Sequence, residues 1–138
     1  VVVLSGKVLL AEDNEINTAI ACRLLERFGL TVDTAENGKQ AVRRFSESRP
    51  GEYRAVLMDI QMPLLNGYEA TEAIRALDRP DAASVPIIAM TADAFSAAME
   101  RSCAAGMNDY VTNPLDPEVL RAVLAKVFQA QTPGTAAQ

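Results

Sequence analysis

Ala55-Val56-Leu57-Met58-Asp59 is four consecutive apolar residues closed by a carboxylate. A strand with one face in water alternates polar and apolar side chains, whereas an uninterrupted apolar run belongs to a strand covered on both faces. The pattern recurs on either side. Val8-Leu9-Leu10-Ala11 ends at Glu12-Asp13, and Val85-Pro86-Ile87-Ile88-Ala89-Met90 ends at Thr91. Residues 31–35 alternate in strand fashion, and a short strand over 109–112 ends at Asn113-Pro114.

Helical periodicity fills the intervals. Ile16, Ile20, Ala21, Leu24, Leu25 and Phe28 repeat at helical spacing as one predicted inward face, and Gly29 stops that helix. Asn37-Gly38 opens a second helix with Ala41, Val42 and Phe45 inward and Arg43, Arg44 and Glu47 outward. Asn66-Gly67 alone is a hairpin signal, but the helical stretch through Tyr68, Ile74 and Leu77 makes it a helix entry. An Ala-rich fourth helix is predicted over 94–105, stopped by Gly106. The last carries Val119, Leu120, Val123, Leu124, Val127 and Phe128 on one broad face. Five strands alternating with five helices predict an α/β fold, a parallel sheet covered by helices on both sides.

Composition narrows the chemistry. The chain has 138 residues, 49% of them hydrophobic, enough for one domain that needs no disulfide or structural metal. A formal net charge of -5 argues against direct nucleic-acid binding, which needs a basic footprint. The absence of histidine excludes Ser/His/Asp and Cys/His nucleophilic sites, His-ligated zinc and a phosphohistidine on this chain. Cys22 and Cys103 have no ligand-like spacing and read as buried reduced thiols, which suits the cytoplasm. No apolar run is long enough for membrane insertion, and Val1-Val2-Val3-Leu4 is too short for a signal peptide. The missing initiator Met suggests a piece of something longer. The domain is expected over 5–130, with a flexible linker or tail over 131–138 containing Thr132-Pro133-Gly134-Thr135.

In an open parallel sheet, ligands bind beyond the carboxyl ends of the strands, where the strand order reverses. In the flavodoxin-like order 2-1-3-4-5, the first and third strands are neighbours, so Glu12, Asp13 and Asp59 share one pocket. Two like charges about 4 Å apart cost roughly 4 kcal/mol at an effective dielectric near 20. Either some of these groups are protonated or a cation joins them, and an all-oxygen ligand set selects Mg2+ or Mn2+. Each carboxylate taken alone reads equally well as a helix cap. The three together do not.

These residues resemble the receiver domains of two-component response regulators and, most closely in pattern, those of hybrid histidine kinases. The resemblance rests on Leu10-Ala11-Glu12-Asp13-Asn14, Met58-Asp59-Ile60-Gln61-Met62-Pro63 with Gly67, Met90-Thr91-Ala92, and Tyr110-Val111-Thr112-Asn113-Pro114. It implies a (βα)5 domain in which Asp59 accepts a phosphoryl group. Asp13 would ligate Mg2+ directly, Glu12 through a coordinated water, and Gln61 through its backbone carbonyl. Thr91 would hydrogen-bond the phosphoryl group, and Tyr110 would turn inward as the switch. The implied donor is a histidine kinase or a histidine phosphotransfer domain. The implied output face is the fourth helix, fifth strand and fifth helix, carrying an output partner or adjoining domain. The resemblance implies enzymatic activity limited to self-catalysed phosphoryl transfer to Asp59 and slow autodephosphorylation. The parent chain could be a hybrid histidine kinase tethered to a membrane sensor.

One position departs from the family pattern. Receivers place a lysine before the proline after the fifth strand, and this chain has Asn113 there. An asparagine amide still donates a hydrogen bond but is shorter and uncharged, so phosphorylation or its coupling to the switch is expected to be weakened. Asn113 also leaves open a pseudo-receiver that binds a partner without phosphorylation. A Mg2+-dependent phosphohydrolase is a weaker third reading, since the acid/base carboxylate two residues past the nucleophile is replaced by Gln61.

Overall fold

The computed structural model describes residues 4, 6–60, 62, 65–91, 101, 104–112 and 115–136, with backbone alone for 129–136. Five strands, β1 (Gly6–Ala11), β2 (Leu30–Ala35), β3 (Tyr53–Asp59), β4 (Ile87–Thr91) and β5 (Asp109–Thr112), form one parallel sheet in the order β2-β1-β3-β4-β5. The expected α/β fold and strand order are both present. Among the described residues there are four helices, α1 (Glu15–Arg27), α2 (Gly38–Glu47), α3 (Gly67–Arg75) and α4 (Pro117–Ala136). The helix predicted over 94–105 falls mostly outside the described residues; within it Arg101, Ala104 and Ala105 are helical.

The apolar strand runs divide by alternation. Val8 and Leu10, Ala55 and Leu57, and Ile88 and Met90 join Ala21 and Leu25 of α1 and Leu120 and Leu124 of α4 in one core layer. Leu9 and Ala11, Val56 and Met58, and Ile87 and Ala89 pack with Ala41 and Phe45 of α2 and Ile74 of α3 in the other. Both sheet faces are therefore dry, which is why these strands read as continuous runs.

Asparagine opens all three of the first helices. The Asn14, Asn37 and Asn66 side chains accept from the backbone N–H of Asn17, Gln40 and Glu69, at 3.0, 2.8 and 2.9 Å. Glu69 returns a bond to the Asn66 N–H, completing a capping box. The Asn-Gly pairs are thus helix entries and not hairpins.

One expectation meets a different outcome. Ile16 and Ile20 were grouped with the inward face of α1, yet they are 70% and 48% exposed. Residues four apart drift by about 40° around a helix, so nine positions separate Ile16 from Leu25 by about 180°. The i/i+4 chain of apolar residues therefore winds from solvent into the core. At the other terminus, helical backbone continues to Ala136, into the stretch whose composition reads as a linker.

Gly67 positions α3. A Cβ there would overlap the Asp59 carbonyl oxygen and lie 2.8 Å from Ile60 Cα, and the Gly67 N–H donates to the Ile60 carbonyl at 2.8 Å. Gly67→Ala is expected to lower stability by about 1–3 kcal/mol through this overpacking. Urea unfolding of the two proteins measures it, and an unchanged midpoint would show that the helix start can simply move away.

Candidate functional site

The β1–β3 pairing sets Ala11 beside Met58, so the next residues of both strands, Glu12 and Asp59, emerge together at the carboxyl edge of the sheet. Asp13 follows directly. One carboxylate oxygen from each of Glu12, Asp13 and Asp59 lies within 4.8 Å of the others. The three predicted acidic residues are therefore brought into a single cluster.

Their environments differ. Glu12 is 4% exposed, whereas Asp13 is open to solvent. Backbone bonds hold the Glu12 segment in place: its N–H donates to the Ala35 carbonyl at 3.0 Å, and the Asn14 N–H donates to Glu12 Oε2 at 3.3 Å. Burial, then the hydrogen bond and charge of Asp59, push the Glu12 carboxyl up to about 7. Burial and the hydrogen bond with Glu12 also raise Asp13. An all-oxygen donor set with a buried carboxylate reluctant to ionise alone fits a hard divalent cation, which would favour the ionised forms.

The remaining predicted residues occupy the same edge or fall outside the described part. Asp59 pairs in register with Met90, which places Thr91 one residue further along β4, opposite Thr112 of β5. Tyr110 pairs with Ala89 and packs partly buried against the α2/α3 core layer. Gln61 and Asn113 lie outside the described residues. Cys22 is a partly buried free thiol whose acidity burial weakens, and Cys103 is likewise outside the described residues.

Sequence reading did not include the β2–α2 turn in the site. An open cleft of about 550 Å³ beside the acidic cluster is lined by Glu12 and Asp13 together with Glu15, Thr18, Glu36 and Asn37. The signal was available in the same rule that found Asp59, because Glu36 and Asn37 directly follow a strand of the same sheet. A second groove of about 400 Å³ runs along the exposed side of α1, past Ile16, Ala19, Ile20 and Arg23.

A proton on Glu12 and a cation compete for the same oxygens. Because the folded value, about 7, lies above the ordinary glutamate value of 4.5, the native state binds more protons between these pH values. Stability without divalent cation should therefore be fullest below the lower value and fall as pH rises through the upper one. Mg2+ affinity should instead rise over the same window, and Glu12→Gln should flatten both profiles. Urea midpoints measured from pH 4 to 8, with chelator or with Mg2+, read both slopes (about 4 to about 8 brackets the titration). A Glu12→Gln profile parallel to that of the parent would assign the dependence elsewhere.

Comparison with known proteins points in one direction. The family model described as "Response regulator receiver domain" matches residues 8–125. The Dictyostelium discoideum protein "Hybrid signal transduction histidine kinase I" is 42% identical over 120 residues, covering 86% of this chain and 7% of that kinase. The Oryza sativa subsp. japonica "Two-component response regulator ORR41" is 40% identical over 122 residues, covering 87% of this chain and 92% of the relative. The chain thus spans 7% and 14% of the first kinases it matches and nearly all of the rice regulator.

Among solved structures, the receiver domain of a Pseudomonas aeruginosa PAO1 sensor histidine kinase is 38% identical with a TM-score of 0.79, covering 89% of this chain and 97% of that one. It has a magnesium ion coordinated in its active site cleft. The receiver domain of Saccharomyces cerevisiae Ssk1, crystallised with the histidine phosphotransfer protein Ypd1, is 32% identical with a TM-score of 0.80. That match covers 89% of this chain and 88% of the other.

Proposed function

Because the chain belongs to the response regulator receiver domain family, we propose that it takes a phosphoryl group from a phosphohistidine onto Asp59 and uses the product to switch a partner interaction. It is a receiver domain of two-component signalling. The observation carrying the proposal is the convergence of Glu12, Asp13 and Asp59 within 4.8 Å at the carboxyl edge of the sheet.

In the transfer, the phosphorus–nitrogen bond of the donor phosphohistidine breaks as a bond forms from phosphorus to an Asp59 carboxylate oxygen, and the departing imidazole takes up a proton. Catalysis of such a step is mostly positioning and charge stabilisation. Mg2+, when bound, offsets repulsion between the carboxylate and the incoming phosphoryl oxygens. Glu12 and Asp13 would hold that cation, and the family resemblance adds the Gln61 carbonyl as a further ligand. Thr91, at the end of β4, donates its hydroxyl to a phosphoryl oxygen, and Tyr110 on the adjacent β5 follows its movement. The face carrying β5 and α4 then presents the result to an output partner or adjoining domain.

The exposure of α1 supports a docking place for the donor there. Ile16 and Ile20 stand in solvent within two turns of Asp13, beside a groove of about 400 Å³. Exposed apolar residues beside a reactive pocket suit a protein donor, such as the phosphotransfer partner of the yeast relative. Asn113, in place of the family lysine, removes one cation from the acidic edge and slows transfer or weakens its readout. It also favours the second reading, a constitutive pseudo-receiver.

Incubation with Mg2+ and acetyl phosphate should add the mass of one phosphoryl group, and Asp59→Asn should abolish the gain. No gain in the parent protein would decide for the pseudo-receiver. Asn113→Lys should speed transfer or enlarge the conformational response, and equal behaviour would remove any role for Asn113. Ile16→Asp should slow labelling by a phosphorylated histidine phosphotransfer protein by about tenfold or more, as for an interface anchor. The same variant should leave acetyl phosphate labelling unchanged. Parallel loss with both donors would instead mean damage to the pocket.

A further inference from the structure

Arg75, in the last turn of α3, is half-buried, and its four hydrogen bonds among the described residues reach neutral oxygens. Nε and Nη2 donate to the Gly106 carbonyl at 3.1 and 2.7 Å, Nη1 to the Ala82 carbonyl at 3.0 Å, and Nη2 also to Asn108 Oδ1 at 2.8 Å. Burial holds its guanidinium below its ordinary acidity range in pKa. An arginine placed for solubility would remain in solvent. Here its planar fork is spent on the turn that precedes β5.

That turn is locked to the start of β4 as well. Asn108 Oδ1 accepts from the Ile87 N–H at 2.8 Å, while the Asn108 N–H donates to the Ile87 carbonyl at 2.8 Å. Gly106 has φ +106°, and a Cβ there would lie 3.1 Å from Arg75 Cγ, so turn and arginine fit each other closely. Ala105 and Met107 on either side are buried in the core with Ile74. The amino-terminal ends of β4 and β5 are thus fixed together, about 13 Å along the sheet from Thr91 and Thr112 at the other end. α3 spans a similar length, about 12 Å, from Gly67 against the Asp59 carbonyl to Arg75 on this turn.

We propose that Arg75 is a positioning residue for the switch: by pinning Gly106 and Asn108 it makes the base of β5 a fixed pivot, so that movement of Thr91 is delivered to Tyr110. This rests on the reading of Thr91 and Tyr110 given above. Thr91 ends β4, and Tyr110 lies just past the turn that Arg75 holds. With that hold released, a pull on Thr91 is taken up by slack in the turn and does not reach Tyr110. Arg75 touches none of the three clustered carboxylates, so its loss acts on the readout and leaves the chemistry alone.

The test is amide hydrogen exchange at 104–112, with Mg2+ alone and with Mg2+ plus beryllofluoride as a phosphoryl mimic, in the parent chain, Arg75→Met, Arg75→Lys and Asn108→Ala. In the parent, the mimic should change exchange at Tyr110 and Val111 by about tenfold. In Arg75→Met and Asn108→Ala that change should shrink to about twofold or less, with acetyl phosphate labelling and Mg2+ affinity unaltered. Arg75→Lys, which keeps charge and length but loses the fork, should fall between. A parent protein that labels on Asp59 but shows no response at Tyr110 would overturn the switch reading itself. A responsive parent with equally responsive variants would overturn only the role of Arg75. Exchange raised equally in β1 and β3 of all three variants would also count against it, as a loss of global stability.

Discussion

The structure depends on one adjacency, the parallel pairing of β1 with β3 across the place where strand order turns back toward β2. Consecutive strands in this fold are joined through helices, so β1 and β3 become neighbours only because β2 is laid down on the far side of β1. With Ala11 beside Met58, the carboxylates that follow cannot avoid one another. Burying Glu12 at 4% exposure beside Asp59 then costs free energy that neither strand pairing nor the surrounding apolar core returns. The cost is relieved by a proton or by a cation. A site that accepts either is one whose charge state, and therefore whose readiness for an incoming anion, depends on the cation supply.

The loops at that edge are built to keep it rigid. Asn14, Asn37 and Asn66 each cap a helix that starts at the carboxyl edge, satisfying backbone N–H groups that would otherwise seek water. The same caps bring the positive ends of α1, α2 and α3 toward the acidic cluster. Gly67 allows α3 to start against the Asp59 carbonyl, so the proposed acceptor is braced from its backbone. On the other core layer, the Arg54 guanidinium lies 3.9 Å from the centroid of the Phe128 ring and ties β3 to α4.

The strands were legible because burial on both faces leaves a continuous apolar run, and each run stopped at the polar residue that marks the edge. The acidic cluster was legible for the same reason, as Glu12 and Asp59 are simply the residues after β1 and at the end of β3. The side of α1 that faces solvent was not. Apolar residues at i/i+4 look like a single stripe in sequence, while the helix carries Ile16 half a turn away from Leu25. Nor was Arg75 legible, since a lone cation in the last helical turn is an ordinary solvated residue by its local sequence. Its partners are backbone carbonyls at Ala82 and Gly106, and nothing in side-chain identity announces where a carbonyl will point. The helical backbone of 129–136 illustrates the converse, a composition suited to a linker taking up the conformation of the helix that precedes it.

A switch made from these parts must work with small energies. Moving a two-state equilibrium from 1:99 to 99:1 takes about 5.5 kcal/mol of differential interaction. One hydrogen bond from Thr91 to a charged phosphoryl oxygen supplies about 1.5–3 kcal/mol, so that contact alone does not carry the protein across. The family lysine would add a charge-assisted contact, whereas Asn113 brings no charge. If phosphorylation switches the domain as proposed, the two arrangements of β5 must lie close in energy beforehand, or the response is graded rather than complete. A pivot at Arg75 bears on that balance directly. In the proposed switch, its four hydrogen bonds would hold the base of β5 and remove conformations in which Thr91 and Tyr110 shift independently. A weak input can then select between two states instead of among many.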